Sequence, residues 1–269
     1  MIKCGITGHN GNLGKKFQKI SKKFKFIKFN GDISKKKYIE NWIKYNDFDL
    51  IIHLASIVPT SIVNKKFKKA LNVNYYGTKF LVDSIVKNNK RLKWFFFSST
   101  SHVYSLTTKK IKENYSTQPS TKYGKTKLIA EKYIVKKLKK TNIKFCIGRI
   151  FSIIDNKKKE FFLPGLLKKI KVKKKVIYLK NLNHYRDFIS TEQICKIMII
   201  LWNKKCNQIV NIANGRKINL KYIAKLLSKE LNKIIFFENN KPTTLVADIK
   251  KIKKFGYEPK KLNFVKYFH

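Results

Sequence analysis

The chain has 269 residues, 43% of them hydrophobic and 13% aromatic. That suits one large core, or a core with a small second lobe, and excludes a disordered or fibrous protein. Its 62 Lys and Arg stand against 15 Asp and Glu, a formal net charge of +47. Only Arg91, Arg149, Arg186 and Arg216 are arginines, and the lysines run along the whole sequence beside abundant Ile, Asn, Phe and Tyr. The charge therefore reads as a bias toward residues with A/T-rich codons. That reading is preferred to the nucleic-acid or anionic-membrane partner that so basic a chain would otherwise suggest, and the charge would still attract anionic small molecules in a salt-dependent way.

In chain order, 2–7 reads as a short buried strand. Residues 13–23 have helical spacing, with Leu13, Phe17 and Ile20 on one face. Residues 24–29 alternate apolar side chains with lysine, as a strand near a sheet edge would. Residues 36–45 are helical and 49–55 form a buried strand. A long helix is expected over 70–87, a central strand over 92–98, a helix over 122–139 and a strand over 143–149. Strands alternating with helices predict an α/β fold with a doubly wound, parallel, Rossmann-type sheet. Beyond residue 150 the alternation breaks down: 157–159 and 168–175 are charge-rich and the elements are shorter. We expect a first domain over 1–150 and a small lobe over 151–269, partly interwoven with it.

Cys4, Cys146, Cys195 and Cys206 have no metal-ligand spacing and read as reduced core residues of a cytoplasmic protein. No His, Asp and Glu spacing suggests a metal site. The first strand begins at Ile2, which leaves no room for a signal peptide, and no apolar run approaches the ~20 residues of a membrane span.

Two stretches carry chemistry. Thr7-Gly8-His9-Asn10-Gly11-Asn12-Leu13-Gly14 stands between a strand and a helix, the arrangement that a pyrophosphate needs. Gly8 and Gly11 let the backbone approach phosphates, Gly14 lets the helix pack close, and the helix N-terminus offers N–H donors. An ordinary glycine-rich turn has the same appearance. About a hundred residues on, Tyr123-Gly-Lys-Thr-Lys127 places a tyrosine and a lysine on one face of a helix. An ammonium ~4 Å from a phenol, at an effective dielectric of ~20, favours the phenolate by about 4 kcal/mol. That is roughly three pKa units, less whatever desolvation removes. In so lysine-rich a chain, the pair alone could be an exposed accident.

The spacing GxxGxxG resembles that of the extended short-chain dehydrogenase/reductase family, which holds the sugar-nucleotide epimerases, dehydratases and reductases. Further stretches resemble the family's elements in the same order. They are Gly31-Asp32-Ile33 for the adenine, His53-Leu54-Ala55-Ser56 beside the cofactor ribose, and Asn74-Tyr75-Tyr76-Gly77-Thr78. They continue with the Ser/Thr strand over 97–104, Tyr185-Arg186-Asp187-Phe188-Ile189, and Asn211-Ile212-Ala213-Asn214-Gly215. The resemblance covers nearly the whole chain. It implies an NAD- or NADP-binding first domain and a substrate-binding lobe. It implies cofactor contacts from Gly8, Asn10, Gly11, Asn12, Leu13, Asp32, Ile33, Leu54, Ala55, Ser56, Asn74, Tyr123 and Lys127. Tyr123, Lys127 and Thr100 would be catalytic, with Ser99 and Ser101 as neighbouring rivals to Thr100. Thr100, Ser101 and Arg186 would meet substrate. Arg186 suits a diphosphate, or a salt bridge with Asp187 that steadies the lobe. Asn74 would brace Lys127, and His53 is expected to be a packed residue.

Only 17 residues lie between Gly14 and Asp32, which leaves room for one helix and one strand. Asp32 could hold the ribose hydroxyls or contact the adenine of a shortened fold similar to dTDP-4-dehydrorhamnose reductases. In the second case NADP fits as well as NAD, with Lys15 and Lys28 near a 2′-phosphate. Where the family's 4,6-dehydratases carry an acidic pair after the catalytic Thr, this chain has Ser101 and His102, which argues against dehydration. The expectation is an NAD(P)-dependent sugar-nucleotide oxidoreductase. A 4-ketoreductase is favoured over a 4-epimerase, and a non-catalytic cofactor-sensing or RNA-binding member of the fold is a further alternative. The resemblance also implies a homodimer through the helices at 70–87 and 122–139.

Overall fold

The computed structural model describes residues 1–58, 60–88, 91–154, 162–238 and 241–268; the charge run at 157–159 lies outside them. The chain opens with β1 (Ile2–Thr7), α1 (Asn12–Ile20), β2 (Phe24–Lys28), α2 (Lys36–Lys44) and β3 (Leu50–His53). The short helices α3 (Thr60–Lys65) and α4 (Phe67–Leu71) lead through a π-helical turn, Asn72–Tyr76, into α5 (Gly77–Asn88). Then come β4 (Trp94–Thr100), a 3-10 turn at Ser101–Val103, α6 (Lys122–Leu138), β5 (Lys144–Ile150), β6 (Ser152–Ile154), α7 (Phe162–Ile170), β7 (Val176–Leu179), β8 (His184–Arg186) and β9 (Phe188–Ser190). The last elements used below are α8 (Thr191–Asn203), β10 (Ile209–Ile212), β11 (Ile218–Asn219), α9 (Leu220–Glu230), β12 (Ile234–Phe237) and β13 (Thr243–Leu245).

Six strands form the central sheet in the order β10-β5-β4-β3-β1-β2. The pairs β2–β1, β1–β3, β3–β4 and β4–β5 are all parallel. The strand β2 lies at an edge, where the exposed Lys25 and Lys28 can reach solvent. The aromatic β4 lies inside, with Trp94, Phe95, Phe96 and Phe97 fully buried. One side of the sheet packs Ile51, Phe95, Phe97 and Ile147 against Ile39 and Ile43 of α2, Leu81, Val82 and Ile85 of α5, and Ala130 and Ile134 of α6.

The expected single helix over 70–87 is divided by the π turn. The wider turn carries Asn74, which is fully buried and whose side chain hydrogen-bonds outside the helix; π bulges are frequent at functional sites.

The chain forms two compact units. The first comprises Met1–Ser105, Ser116–Ile150 and Glu192–Val210; the second comprises Leu106–Tyr115, Phe151–Thr191 and Asn211–His269. The strand–helix alternation that fades from the sequence after residue 150 returns in α8 and in β10, which takes its place beside β5. The second unit has its own core, with Leu163, Leu166, Leu179, Phe188, Ile223, Leu227 and Phe264. It contains a three-stranded sheet, β11-β8-β13, and two two-stranded ones, β12-β7 and β6-β9. All four cysteines are buried and none of them is in a disulfide. No described helix is long and apolar enough to cross a membrane.

Candidate active site

The glycine turn is built by close approach. Gly8 has φ +70°, and a Cβ on it would lie 2.6 Å from the backbone nitrogen of Ala55. A Cβ on Gly14 would lie 2.4 Å from the Gly8 carbonyl oxygen. Gly11 precedes α1 without a side-chain cap, and the first turn of α1 holds no acid. The positive end of the helix dipole is therefore not offset by a side chain of the helix. Asn10 is exposed, and Gly11, Asn12 and Leu13 are half-buried. His9 Nδ1 is buried and has no hydrogen-bond partner among the described residues. A cradle that only glycine permits, an open helix N-terminus and an orphaned ring nitrogen together fit a dinucleotide.

The loop after β3 lines the same turn. Thr7 Oγ1 bonds His53 Nδ1 at 2.6 Å and accepts from the Ala55 N–H at 3.2 Å. His53 Nε2 bonds Thr78 Oγ1 at 2.9 Å. Burial drives the His53 pKa down to about 3, with help from the Lys127 charge. His53 is thus a neutral packed residue, as expected. Leu54, Ala55 and Ser56 are half-buried. Asp32 is exposed and turned to its own loop, where it accepts from Ser34 N and Ser34 Oγ at 2.9 and 2.7 Å. Ile33 is buried and packs against Gly77, where a Cβ would meet the Ile33 carbonyl oxygen at 2.8 Å.

Asn74 holds three segments together. Its Oδ1 accepts from Ser56 Oγ at 2.9 Å and from Ile57 N at 2.8 Å; its Nδ2 donates to Ile57 O at 3.0 Å and to Thr126 Oγ1 at 3.1 Å. The brace reaches α6 at the residue before Lys127.

Helix α6 starts with Thr121 as its N-cap, whose side chain accepts from Gly124 N at 3.0 Å. A Cβ on Gly124 would lie 2.2 Å from the His102 carbonyl oxygen, so the helix start can lie directly on the 3-10 turn. Tyr123 and Lys127 are both buried on α6. Tyr123 hydrogen-bonds the side chains of Ser56 and Thr100, and the His102 ring meets its ring edge-on at 6.1 Å. Of the three neighbouring hydroxyls on β4 and its turn, Thr100 is the one bonded to Tyr123. Ser99 Oγ is bonded to the Glu131 carboxylate, and Ser101 is buried.

Burial pushes the Tyr123 phenol up to about 12, against the pull of the Ser56 and Thr100 bonds. Burial pushes Lys127 down to about 7, opposed by Glu131. This reverses the ordering expected from the sequence, where the ammonium's attraction outweighed desolvation. Both groups are taken out of water, and the lysine's own charge is penalised before it can act on the phenol.

Glu131 belongs to none of the motifs that mark the site in the sequence. One signal was present: a scarce acid four residues past Lys127, among Leu128, Ala130 and Ile134 on the buried face of α6.

Arg186 belongs to the second unit. It donates to Tyr185 O at 2.8 Å and to Thr243 O and Oγ1 at 3.3 and 3.2 Å, and burial lowers its pKa to about 10. Asp187 accepts instead from the N–H groups of Asn214, Gly215 and Ala247 at 3.0, 2.8 and 3.2 Å. The two side chains do not pair with each other. Among the described residues no group of three or more His, Cys, Asp or Glu is placed to hold a metal ion.

A parallel six-stranded sheet with this glycine turn defines an NAD(P)-dependent enzyme of the extended short-chain dehydrogenase/reductase class. The profile of the GDP-mannose 4,6-dehydratase family matches residues 6–264, and the chain belongs to that family. Its sequence is 28% identical over 236 residues to the GDP-6-deoxy-D-talose 4-dehydrogenase of Aggregatibacter actinomycetemcomitans, covering 84% of this chain and 79% of the relative. The fold is shared with RMD from Pseudomonas aeruginosa, solved with NADPH, at a TM-score of 0.87 and 16% identity over 100% of this chain and 95% of that one. It is shared also with the UDP-Glc/GlcNAc 4-epimerase of Campylobacter jejuni, at a TM-score of 0.85 and 17% identity over 100% and 97%.

Proposed function

We propose that the protein is an NAD(P)H-dependent 4-ketoreductase acting on a nucleotide-linked keto-sugar. The observation that carries this is the buried Tyr123 phenol beside the Thr100 hydroxyl, with Lys127 one turn on along α6. Such a phenol keeps its proton at neutral pH, and reduction of a ketone calls for a proton donor. An epimerase needs the same group as a base in its first step. Ser101 and His102 stand where an elimination would need an acid and a carboxylate, which speaks against dehydration. The name of the Aggregatibacter relative, a 4-dehydrogenase, is consistent with oxidoreduction at position 4.

Gly8, Asn10, Gly11, Asn12 and Leu13 would hold the dinucleotide's pyrophosphate, Asp32 and Ile33 its adenine side, and Leu54, Ala55, Ser56 and Asn74 its ribose side. When bound, the nicotinamide supplies hydride. Thr100 and Ser101 orient the substrate's carbonyl oxygen. Tyr123 gives that oxygen its proton. Lys127 holds the nicotinamide ribose hydroxyls and places positive charge behind the phenol. Arg186 is assigned to the substrate diphosphate, which its fork of donors suits, and the second unit to substrate binding. Four cysteines outside any disulfide accord with a cytoplasmic enzyme. The partly exposed Tyr76, Val86 and Ile129 on the π turn, α5 and α6 accord with a homodimer, which light scattering at micromolar concentration in moderate salt would show.

The test is to mix purified protein with a nucleotide-linked 4-ketosugar and NADH or NADPH, and to follow loss of reduced cofactor. Stoichiometric oxidation of added cofactor is expected. Purification with near-stoichiometric NAD, and interconversion of sugar isomers without added cofactor, would instead establish the 4-epimerase.

A further inference from the structure

Three buried groups behind the candidate site form a unit that the proposed reaction does not use. Glu131 is 2% exposed. Its carboxylate takes the Arg149 guanidinium side-on: Nε donates at 3.1 and 3.2 Å to its two oxygens, and a terminal nitrogen donates at 2.7 Å. It also accepts from Ser99 Oγ. Ser99 and Arg149 are register partners on β4 and β5, so the sheet itself sets the spacing of the two donors. The guanidinium lies over the Tyr104 ring at 4.7 Å. Every component of this clamp sits on a regular element or directly after one.

Lys127 is one helical turn from Glu131, on the same buried face of α6. Its ammonium lies 4.0 Å from the centre of the Phe97 ring, and Phe97 is on the same face of β4 as Ser99. A cation buried over a ring needs a counter-charge. The charged and titratable groups on the elements packed here are Tyr123 and Glu131 on its own helix, His53 on β3, Arg149 on β5, His102 in the 3-10 turn and Tyr104 directly after it. His53 is kept neutral, and Arg149 is itself a cation. Glu131 is the one carboxylate among these groups.

We propose that Glu131, clamped by Arg149 and Ser99, is a positioning residue that keeps Lys127 in place and charged behind Tyr123. The proposal rests on the reading of Lys127 and Tyr123 given above. A fixed carboxylate shared by two buried cations leaves one net positive charge, which is available to a developing phenolate or to ribose hydroxyls.

The test compares wild type, Glu131→Gln and Glu131→Gln/Arg149→Gln. The double variant removes the guanidinium that the single one would leave buried without its carboxylate, and so guards against misfolding of the single one. Lys127 is followed directly by NMR of 13Cε-labelled lysine, its resonance being the one missing from Lys127→Arg. In Glu131→Gln its titration midpoint should fall by about one to two pH units, with the double variant between that and wild type. In turnover, the alkaline limb of kcat/KM should move down with it, so that activity lost at neutral pH returns in mild acid. An unchanged Lys127 midpoint in both variants would overturn the proposal, as would a loss of activity equal at every pH. The NMR titration needs no turnover, so its outcome stands apart from whether the protein reduces ketosugars.

Discussion

The Asn74 carboxamide donates to Thr126 Oγ1 at 3.1 Å, so the π turn is tied to α6 one residue ahead of Lys127. The same side chain closes both backbone groups of Ile57. Asn74→Ala would orphan these groups in a half-buried place, at up to about 1–3 kcal/mol for each one left unsatisfied. We expect the thermal midpoint to drop by about 5 °C or more and turnover to fall with it. A midpoint unchanged by calorimetry would show that the brace is dispensable.

Gly14→Ala tests the cradle. The added methyl would meet the Gly8 carbonyl oxygen at 2.4 Å, a backbone atom that cannot step aside without reshaping the turn. Affinity for NAD(P)H should fall at least about tenfold, which is the effect of about 1.4 kcal/mol. Calorimetric titration reads this directly, and wild-type affinity would count against the turn as the pyrophosphate site.

Tyr123→Phe removes the phenol and keeps the ring against His102. Turnover should fall at least about a hundredfold, the scale for losing a positioned acid, while NAD(P)H affinity changes little. A variant that retains more than a tenth of wild-type kcat would mean that another group moves the proton.

Lys127→Met trades charge for stability. Folding pushes the Lys127 pKa down from 10.5 to about 7, so between those two pH values the unfolded chain binds a proton that the folded one does not. Stability therefore rises as pH goes from about 7 toward 10.5, and below 7 the full cost of the buried cation is felt. In Lys127→Met that rise should flatten, and stability at pH 6 should increase by a few kcal/mol, on the order of the shift itself. Denaturant melts at pH 6 and pH 9 give the comparison; a variant with the wild-type pH dependence would place the titration elsewhere. The gain should come with loss of activity, since the cation is the costly part of the site.

Local pattern carried much of the architecture. Alternation of lysine with apolar residues over 24–29 marked an edge strand, and four consecutive aromatics marked a central one, because side-chain period and burial are coupled within a strand. The helix period placed Tyr123 and Lys127 on one face of α6. The glycines at 8, 11 and 14 were legible as a turn with a helix behind it. The return of α8 and β10 to the central sheet was not legible, because an element's place in a sheet is set by distant partners and not by its own few residues. Nor was the π turn: a long apolar helix and a helix with one widened turn have nearly the same pattern.

The sequence by itself determined that this is a doubly wound dinucleotide-type fold with a tyrosine and a lysine one turn apart, for these follow from periodicity and spacing along a single stretch. Only the tertiary structure decided how those groups behave. Thr100, rather than Ser99, meets the phenol, because Ser99 is committed to Glu131 across α6. Tyr123 holds its proton and Lys127 is loosened, because both are wrapped in apolar packing from several elements. The cost of removing a charge from water depends on everything that surrounds it, and that surrounding is assembled from residues far apart in the chain.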